Sequence, residues 1–260
     1  MNRLIALFGL LVAGWPVLHW YGLRLHDGSD EPLGLAALAV AVFFAPRDGW
    51  QDRLSRVKIV ALIVLLGGGA LGYPWIPALM RGLLFVAMIG MAMAPKNWAL
   101  AWTALLALSL PLVSTLQFYL SYPLRLPTTQ LSALLLRACG FDVHANGTTL
   151  LWAGERVIVD APCSGIHMAW AGLFFAATLA CMRRFSSWET LRLFRWAGAL
   201  VFGANVVRST ALFFLGAGIW RLPAFAHEGI GLVMFAVTLV FIYLCGMQAR
   251  IPASGTHWGL

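Results

Sequence analysis

Charge is what this chain has least of. Only 11% of its 260 residues are Asp, Glu, Lys or Arg, against about a quarter in an ordinary globular domain. That scarcity, with 61% hydrophobic residues and a mean hydropathy of +0.82, excludes a soluble globular protein. Cysteine is sparse too: four residues, at 139, 163, 181 and 245, form no CxxC pair, no zinc spacing and no dense disulfide framework. Internal repeats, low-complexity tracts and a linker to a separate soluble domain are all missing. The formal charge of +8 and the pI near 9.9 would suit nucleic acid only if the cations were contiguous. They stand singly between apolar runs, so no nucleic-acid partner is expected and the charge reports membrane topology instead.

What is present is a succession of long apolar runs. Measured against the roughly 17–25 residues that a spanning helix needs, they read as Ile5–Trp20, Leu33–Ala45, Val57–Gly72, Trp75–Ala94, Trp98–Leu120, Ser164–Met182, Arg195–Leu215 and Glu228–Met247. The expected fold is an all-α polytopic membrane protein of about eight transmembrane helices, a single integral domain over residues 1–260. The second and third runs are short enough to form a re-entrant pair, which would leave the downstream orientation unchanged. Met1-Asn2-Arg3 and the apolar stretch after it resemble a secretory signal. Trp15-Pro16 and His19-Trp20 replace the small-residue cleavage pattern, so an uncleaved first span is expected.

Lys and Arg near span ends mark the cytoplasmic side. An inside N-terminus puts eleven of them in the cytoplasm, including the basic loops Arg47 to Lys58 and Arg183 to Arg195 and, near the C-terminus, Arg250. It leaves five, Arg24, Arg125, Arg137, Arg156 and Arg221, outside. Both termini are therefore expected to be cytoplasmic. Residues 121–162 become an extracytoplasmic cap between spans five and six. In it Leu131, Leu134, Leu135 and Ala138 fall at helical spacing, an amphipathic helix over Thr128 to Cys139. Asn146-Gly147 and the β-branched residues that follow predict a small sheet of two or three strands.

Three polar motifs interrupt this apolar background: Asp160-Ala-Pro-Cys-Ser-Gly-Ile-His167, Asn205-Val-Val-Arg208 and Ala226-His-Glu-Gly229. In the expected topology Cys163 stands at the outer tip of the sixth span and His227 at the outer tip of the eighth. Arg208 lies on the order of 10 Å below the outer end of the seventh. A thiol, a guanidinium and an imidazole at one depth are the parts of a cysteine acyl-transfer site. Pro162 suits the first helical turn, whose positive end and a nearby guanidinium would lower a thiol pKa. The N–H groups of Ser164 and Gly165 are candidate oxyanion donors, and His227 a candidate acid/base.

Structural readings stand beside these. Cys163 fits a packed core residue or a disulfide with Cys139; Cys181 and Cys245 read as packing residues. Arg208 fits an ion pair with Asp160 or Glu228 or a snorkelling surface arginine, although its depth and Asn205 one turn earlier on the same face favour a buried polar site. His227 fits an interfacial histidine bonded to the cap. His167, four residues after Cys163, either supports or replaces His227 as the base or joins Cys163 and His227 as a zinc or copper ligand, with no fourth ligand evident.

At these motifs the chain resembles the exosortase/archaeosortase family of membrane transpeptidase-like enzymes. The matching residues are Ala161-Pro-Cys-Ser-Gly165, Asn205-Val-Val-Arg208 and His227-Glu-Gly229, in the family's order and spacing, and the likeness covers Leu131 to Tyr243. Pro162 departs from many relatives, as a subfamily difference. The resemblance implies Cys163 as nucleophile, Arg208 as the cation steadying oxyanion or thiolate, and His227 as acid/base, with no cofactor or metal. The implied partners are secreted proteins with a C-terminal sorting signal: a short motif such as Pro-Glu-Pro, a transmembrane helix and a basic tail. The implied location is the bacterial inner membrane with the site facing the periplasm. Intramembrane proteolysis with water as acceptor is a second reading. A non-catalytic component of a polymer or protein export complex is a third.

Overall fold

The structure is a computed structural model that describes residues 2–26, 33–46, 52–159, 164–223 and 225–248. Expectations for Arg47, Arg250 and Asp160-Ala161-Pro162-Cys163 lie outside the described residues. In chain order the elements are α1 (Arg3–Ala13), α2 (Trp15–His26), α3 (Leu33–Phe43), α4 (Arg56–Leu71), α5 (Ala78–Met93), α6 (Ala99–Leu108), α7 (Val113–Ala138), β1 (His144–Asn146), β2 (Thr149–Trp152), β3 (Glu155–Ile158), α8 (Ile166–Arg183), α9 (Ser187–Gly216) and α10 (Ala226–Gln248). The chain divides into two compact units, residues 1–114 with 177–191, and residues 115–176 with 192–260.

Small residues build the first unit. Asn2 caps α1 by accepting the Leu4 N–H at 3.1 Å, and α1 ends at Gly14, where α2 departs at a 62° bend. A Cβ at Gly14 would overlap the Phe85 ring of α5. Pro16 falls in the first turn of α2, where a missing N–H costs nothing. Ala37 and Ala41 of α3 and Ala101 and Leu105 of α6 are wholly buried, and the Trp102 indole N–H of α6 donates to the Ala41 carbonyl at 2.9 Å. Close approach of such residues is how helices associate where lipid removes the hydrophobic drive between them. The turn from α8 to α9 closes with Arg184 left-handed at φ 52° and the Phe185 N–H bonded to the Ala180 carbonyl. Ser186 and Glu189 then cap α9 reciprocally at 2.7 and 3.3 Å.

The second unit has the sheet as its second core. The strands form an antiparallel meander in the order β1-β2-β3, where the sequence suggested two or three strands. The first turn is Gly147-Thr148, one residue beyond the expected Asn146-Gly147, because Asn146 pairs with Thr149 and Gly147 takes the positive φ of 60°. Ala133 and Leu136 of α7, Val143, Leu150 of β2, Val159, and Leu212 and Phe213 of α9 pack into one buried cluster, which Phe141, Trp152 and Phe214 extend through edge-on rings. Polar ties reinforce it: Ser132 donates to the Val206 carbonyl at 3.2 Å and the Arg125 guanidinium to the Val159 carbonyl at 3.1 Å.

Helix boundaries differ from expectation in several places: the predicted first span, Ile5–Trp20, breaks at Gly14 into α1 and α2, and α9 starts at Ser187, ahead of the predicted Arg195. The predicted fifth span, Trp98–Leu120, breaks at Ser109–Leu112, and α6 and α7 meet at 92°. Pro111 disfavours helix in the residue before it, and the Ser109 hydroxyl caps the Leu106 carbonyl at 2.7 Å. The predicted separation between span five and the helix Thr128–Cys139 is absent, since α7 runs unbroken through Pro123 and Pro127. These prolines are four apart, so the lost hydrogen bonds fall on one face, which bends a helix without ending it. Buried Thr128 and Thr129 bond back to the Leu124 and Arg125 carbonyls, both at 2.8 Å. The predicted apolar stripe Leu131, Leu134, Leu135 and Ala138 is exposed along α7. Among the described residues α8, α9 and α10 are long and apolar enough to cross a bilayer singly. The pairs α1–α2 and α6–α7 raise the number of candidate spans to five, with α3 and α5 as shorter apolar helices. The fold is thus a mostly helical membrane protein with a small sheet and, among the described residues, three to five candidate spans.

Candidate functional site

Helix α9 organises the site in the second unit. Asn205 and Arg208, three residues apart, share one of its faces. Asn205 is 1% exposed, deep for an amide in so apolar a chain.

The segment before α8 reaches that face through glycine. Gly165 has φ 78°, and a Cβ there would come 2.9 Å from Asn205 Cγ and 3.1 Å from its Nδ2. Both the backbone conformation and the Asn205 side chain therefore demand a residue without a Cβ. The predicted sixth span, starting at Ser164, accordingly begins only at Ile166, because a left-handed residue cannot continue a right-handed helix. Gly165 acts as the N-cap, its carbonyl accepting the Ala169 N–H at 2.8 Å. Ser164 is buried, and its hydroxyl has no hydrogen-bond partner among the described residues. The expectation that Cys163 occupies the first helical turn falls outside the described residues.

Helix α10 reaches the same face one turn along. A Cβ on Gly231 would lie 3.2 Å from Arg208 Nε and 3.5 Å from its Cζ, so the guanidinium rests on the bare backbone of α10. Gly231 follows His227 by four residues, so the two positions share a face of α10. Arg208 lines a cavity of about 570 Å³ with Met168, Phe225, Glu228 and Gly229. His227, exposed at the head of α10, lines another of about 360 Å³ with Val157, Ser209 and Trp220. The structure thus brings together Ser164-Gly165, Asn205-Arg208 and the first turn of α10.

His167 is placed differently. The Gln117 amide nitrogen of α7 lies 3.3 Å from its Nδ1; with that amide donating, Nδ1 accepts and Nε2 carries the ring proton. No group of three or more His, Cys, Asp or Glu residues able to hold a metal ion occurs among the described residues. Cys139 carries a free, exposed thiol and Cys181 a buried one; Cys163, the partner in the alternative disulfide, lies outside the described residues.

Sequence reasoning missed Gly231, Gln117 and Arg125. Gly231 was within reach, one helical turn after His227. Gln117 and Arg125 showed only as polar residues on an otherwise apolar helix, a sign that a polar partner exists without saying which.

A family model described as transmembrane exosortase matches residues 3–244. No curated protein and no solved structure matches the chain.

Proposed function

The chain belongs to the transmembrane exosortase family, and from that premise we propose that it is a membrane cysteine protease and transpeptidase that cleaves C-terminal sorting signals of secreted proteins. The observation that carries this reading is the convergence on one face of α9. Asn205 contacts Gly165, two residues past Cys163, and Arg208 rests on Gly231, one turn past His227.

In the proposed reaction the Cys163 thiolate attacks the scissile carbonyl carbon, and the carbonyl electrons move to oxygen. Arg208 holds that oxyanion, or the thiolate before it, with a charge that needs no reorganisation as the reaction proceeds. Collapse breaks the C–N bond and leaves a thioester on Cys163. His227 protonates the departing amine, then takes a proton from the acceptor, an external amine or water, that resolves the thioester. Ser164, Gly165 and Asn205 position the nucleophile segment, and His167, held by Gln117, is a supporting group. A substrate anchored by its own transmembrane helix would slide in the bilayer and present its cleavage motif at a fixed depth, which raises effective concentration. The reading includes eight membrane passes, both termini in the cytoplasm, and a site facing the periplasm of a bacterial inner membrane.

The test follows the size and membrane release of a reporter bearing a motif, a transmembrane helix and a basic tail, co-expressed with wild type or with Cys163→Ser, Arg208→Ala or His227→Ala at matched protein levels. Shortening by wild type and by none of the variants is expected. Continued processing by Cys163→Ser would sink the mechanism and favour a non-catalytic component of an export complex.

A further inference from the structure

A second polar site lies in the first unit, built around the guanidinium of Arg3. Arg3 opens α1, yet it is only 9% exposed, and its Nε has no hydrogen-bond partner among the described residues. Its backbone is fixed, since Arg3 N–H donates to the Asp52 carbonyl at 3.2 Å. A buried cation with an open donor in an apolar protein is costly unless an anion completes it.

The side chain lines a cavity of about 680 Å³, to which Lys96 and Arg184 add two exposed cations and Asp52 a single carboxylate. Among the described residues, three positive groups against one negative favour an anion in the cavity. Its volume falls in the roughly 300–1,000 Å³ range of small-molecule sites. The rest of the lining suits a membrane interface: Trp98 packs edge-on against Phe44, with ring centres 6.5 Å apart, and Phe43 is 71% exposed beside them. Indole and phenyl rings belong at the boundary between acyl chains and headgroups, and a guanidinium fork matches two phosphate oxygens.

We propose that this cavity is a phosphate-ester site that holds the headgroup of an anionic phospholipid, with Arg3 bonding the phosphate oxygens, Lys96 and Arg184 supplying the surrounding charge, and Phe43, Phe44 and Trp98 receiving the start of the acyl chains. A free phosphate shares the headgroup chemistry but lacks the chains, so an experiment separates the two sources.

Full-length protein, delipidated in mild detergent, is titrated with short-chain phosphatidylglycerol, with phosphatidylcholine of the same chain length and with inorganic phosphate, following the thermal unfolding midpoint. Phosphatidylglycerol is expected to raise the midpoint saturably, and the other two to leave it within error. Arg3→Gln weakens the phosphatidylglycerol affinity by about tenfold or more, the loss typical of one charge-assisted hydrogen bond. The double variant Lys96→Gln/Arg184→Gln, altered only at exposed side chains, weakens it several-fold and keeps the test decisive if Arg3→Gln does not fold. Arg137→Gln, in the second unit, changes nothing. Equal response to both lipids, wild-type affinity in the double variant or in a folded Arg3→Gln protein, or a phosphate response as strong as the lipid's would overturn the proposal.

Discussion

Both units use glycine for close packing, but the second also uses it to seat buried polar side chains. In the first, glycine lets helices approach: a Cβ at Gly14 would overlap the Phe85 ring and one at Gly34 the Ser109 carbonyl oxygen. In the second, Gly172 and Gly216 likewise pack against Val201 and Val157, but Gly165 and Gly231 seat polar side chains, Asn205 and Arg208. Buried polar residues divide in the same way. Arg3, Ser109 and Thr190 are those of the first unit, while the second holds Ser121, Thr128, Thr129, Ser132, Ser164, Asn205, Ser209 and Thr238. The difference teaches that where a backbone approaches an apolar ring, glycine serves packing; where it approaches an amide or guanidinium deep in an apolar chain, it serves a site. Adding carbon at each kind of position should therefore affect different observables.

The largest effect is expected at Gly165. Gly165→Ala must place a Cβ against Asn205 with the backbone at φ 78°, so reporter processing should disappear and the unfolding midpoint fall; processing near the wild-type rate would contradict the close approach. Gly231→Leu comes next. It fills the seat of the Arg208 guanidinium, and processing should drop about 10²–10³-fold, the loss seen when an oxyanion donor is removed, at unchanged abundance in the membrane fraction. Loss of abundance in parallel with activity would mean that Gly231 serves packing like Gly14, and the contrast between units would fail. Gly231→Ala sharpens the test, because its Cβ meets the flexible end of a side chain at 3.2 Å and should cost less than tenfold.

In the first unit the observable is stability. Gly34→Ala sets a methyl against a backbone oxygen that cannot rotate away and should destabilise by roughly 1–3 kcal/mol, read as a lower unfolding midpoint with processing per folded molecule preserved. The smallest change is Ala153→Gly. Ala153 holds φ 49° and Gly154 φ 86° in the β2–β3 turn, so relieving the alanine should stabilise by about 0.5 kcal/mol after the extra entropy of an unfolded glycine is subtracted. A decrease in the midpoint would show that the turn is not strained.

Much of the site was legible because its motifs are short, polar and embedded in apolar runs, where any polar residue stands out. Asn205 and Arg208 could be assigned to one helix face from spacing alone, and Asn146-Gly147 announced the hairpin to within one residue. The seat of Arg208 was not legible, since Gly231 gains its meaning from a side chain on another helix. Arg3 was read only as a topology marker, because the residues around its cavity come from four separate stretches of the chain.

By itself the sequence determined membrane residence, the predominance of helix, the presence of a small sheet and the order of the three motifs. Each of these depends on local composition or on spacing within one element. The tertiary structure alone decided that α7 continues past Pro123 and Pro127 while the chain turns sharply at Ser109–Leu112, that Gly165 and Gly231 are the contact points of the site, and that Arg3 faces a cavity rather than lipid. Whether a proline ends a helix, or a glycine is a seat or a gap, depends on what packs against it, and that partner lies tens of residues away along the chain.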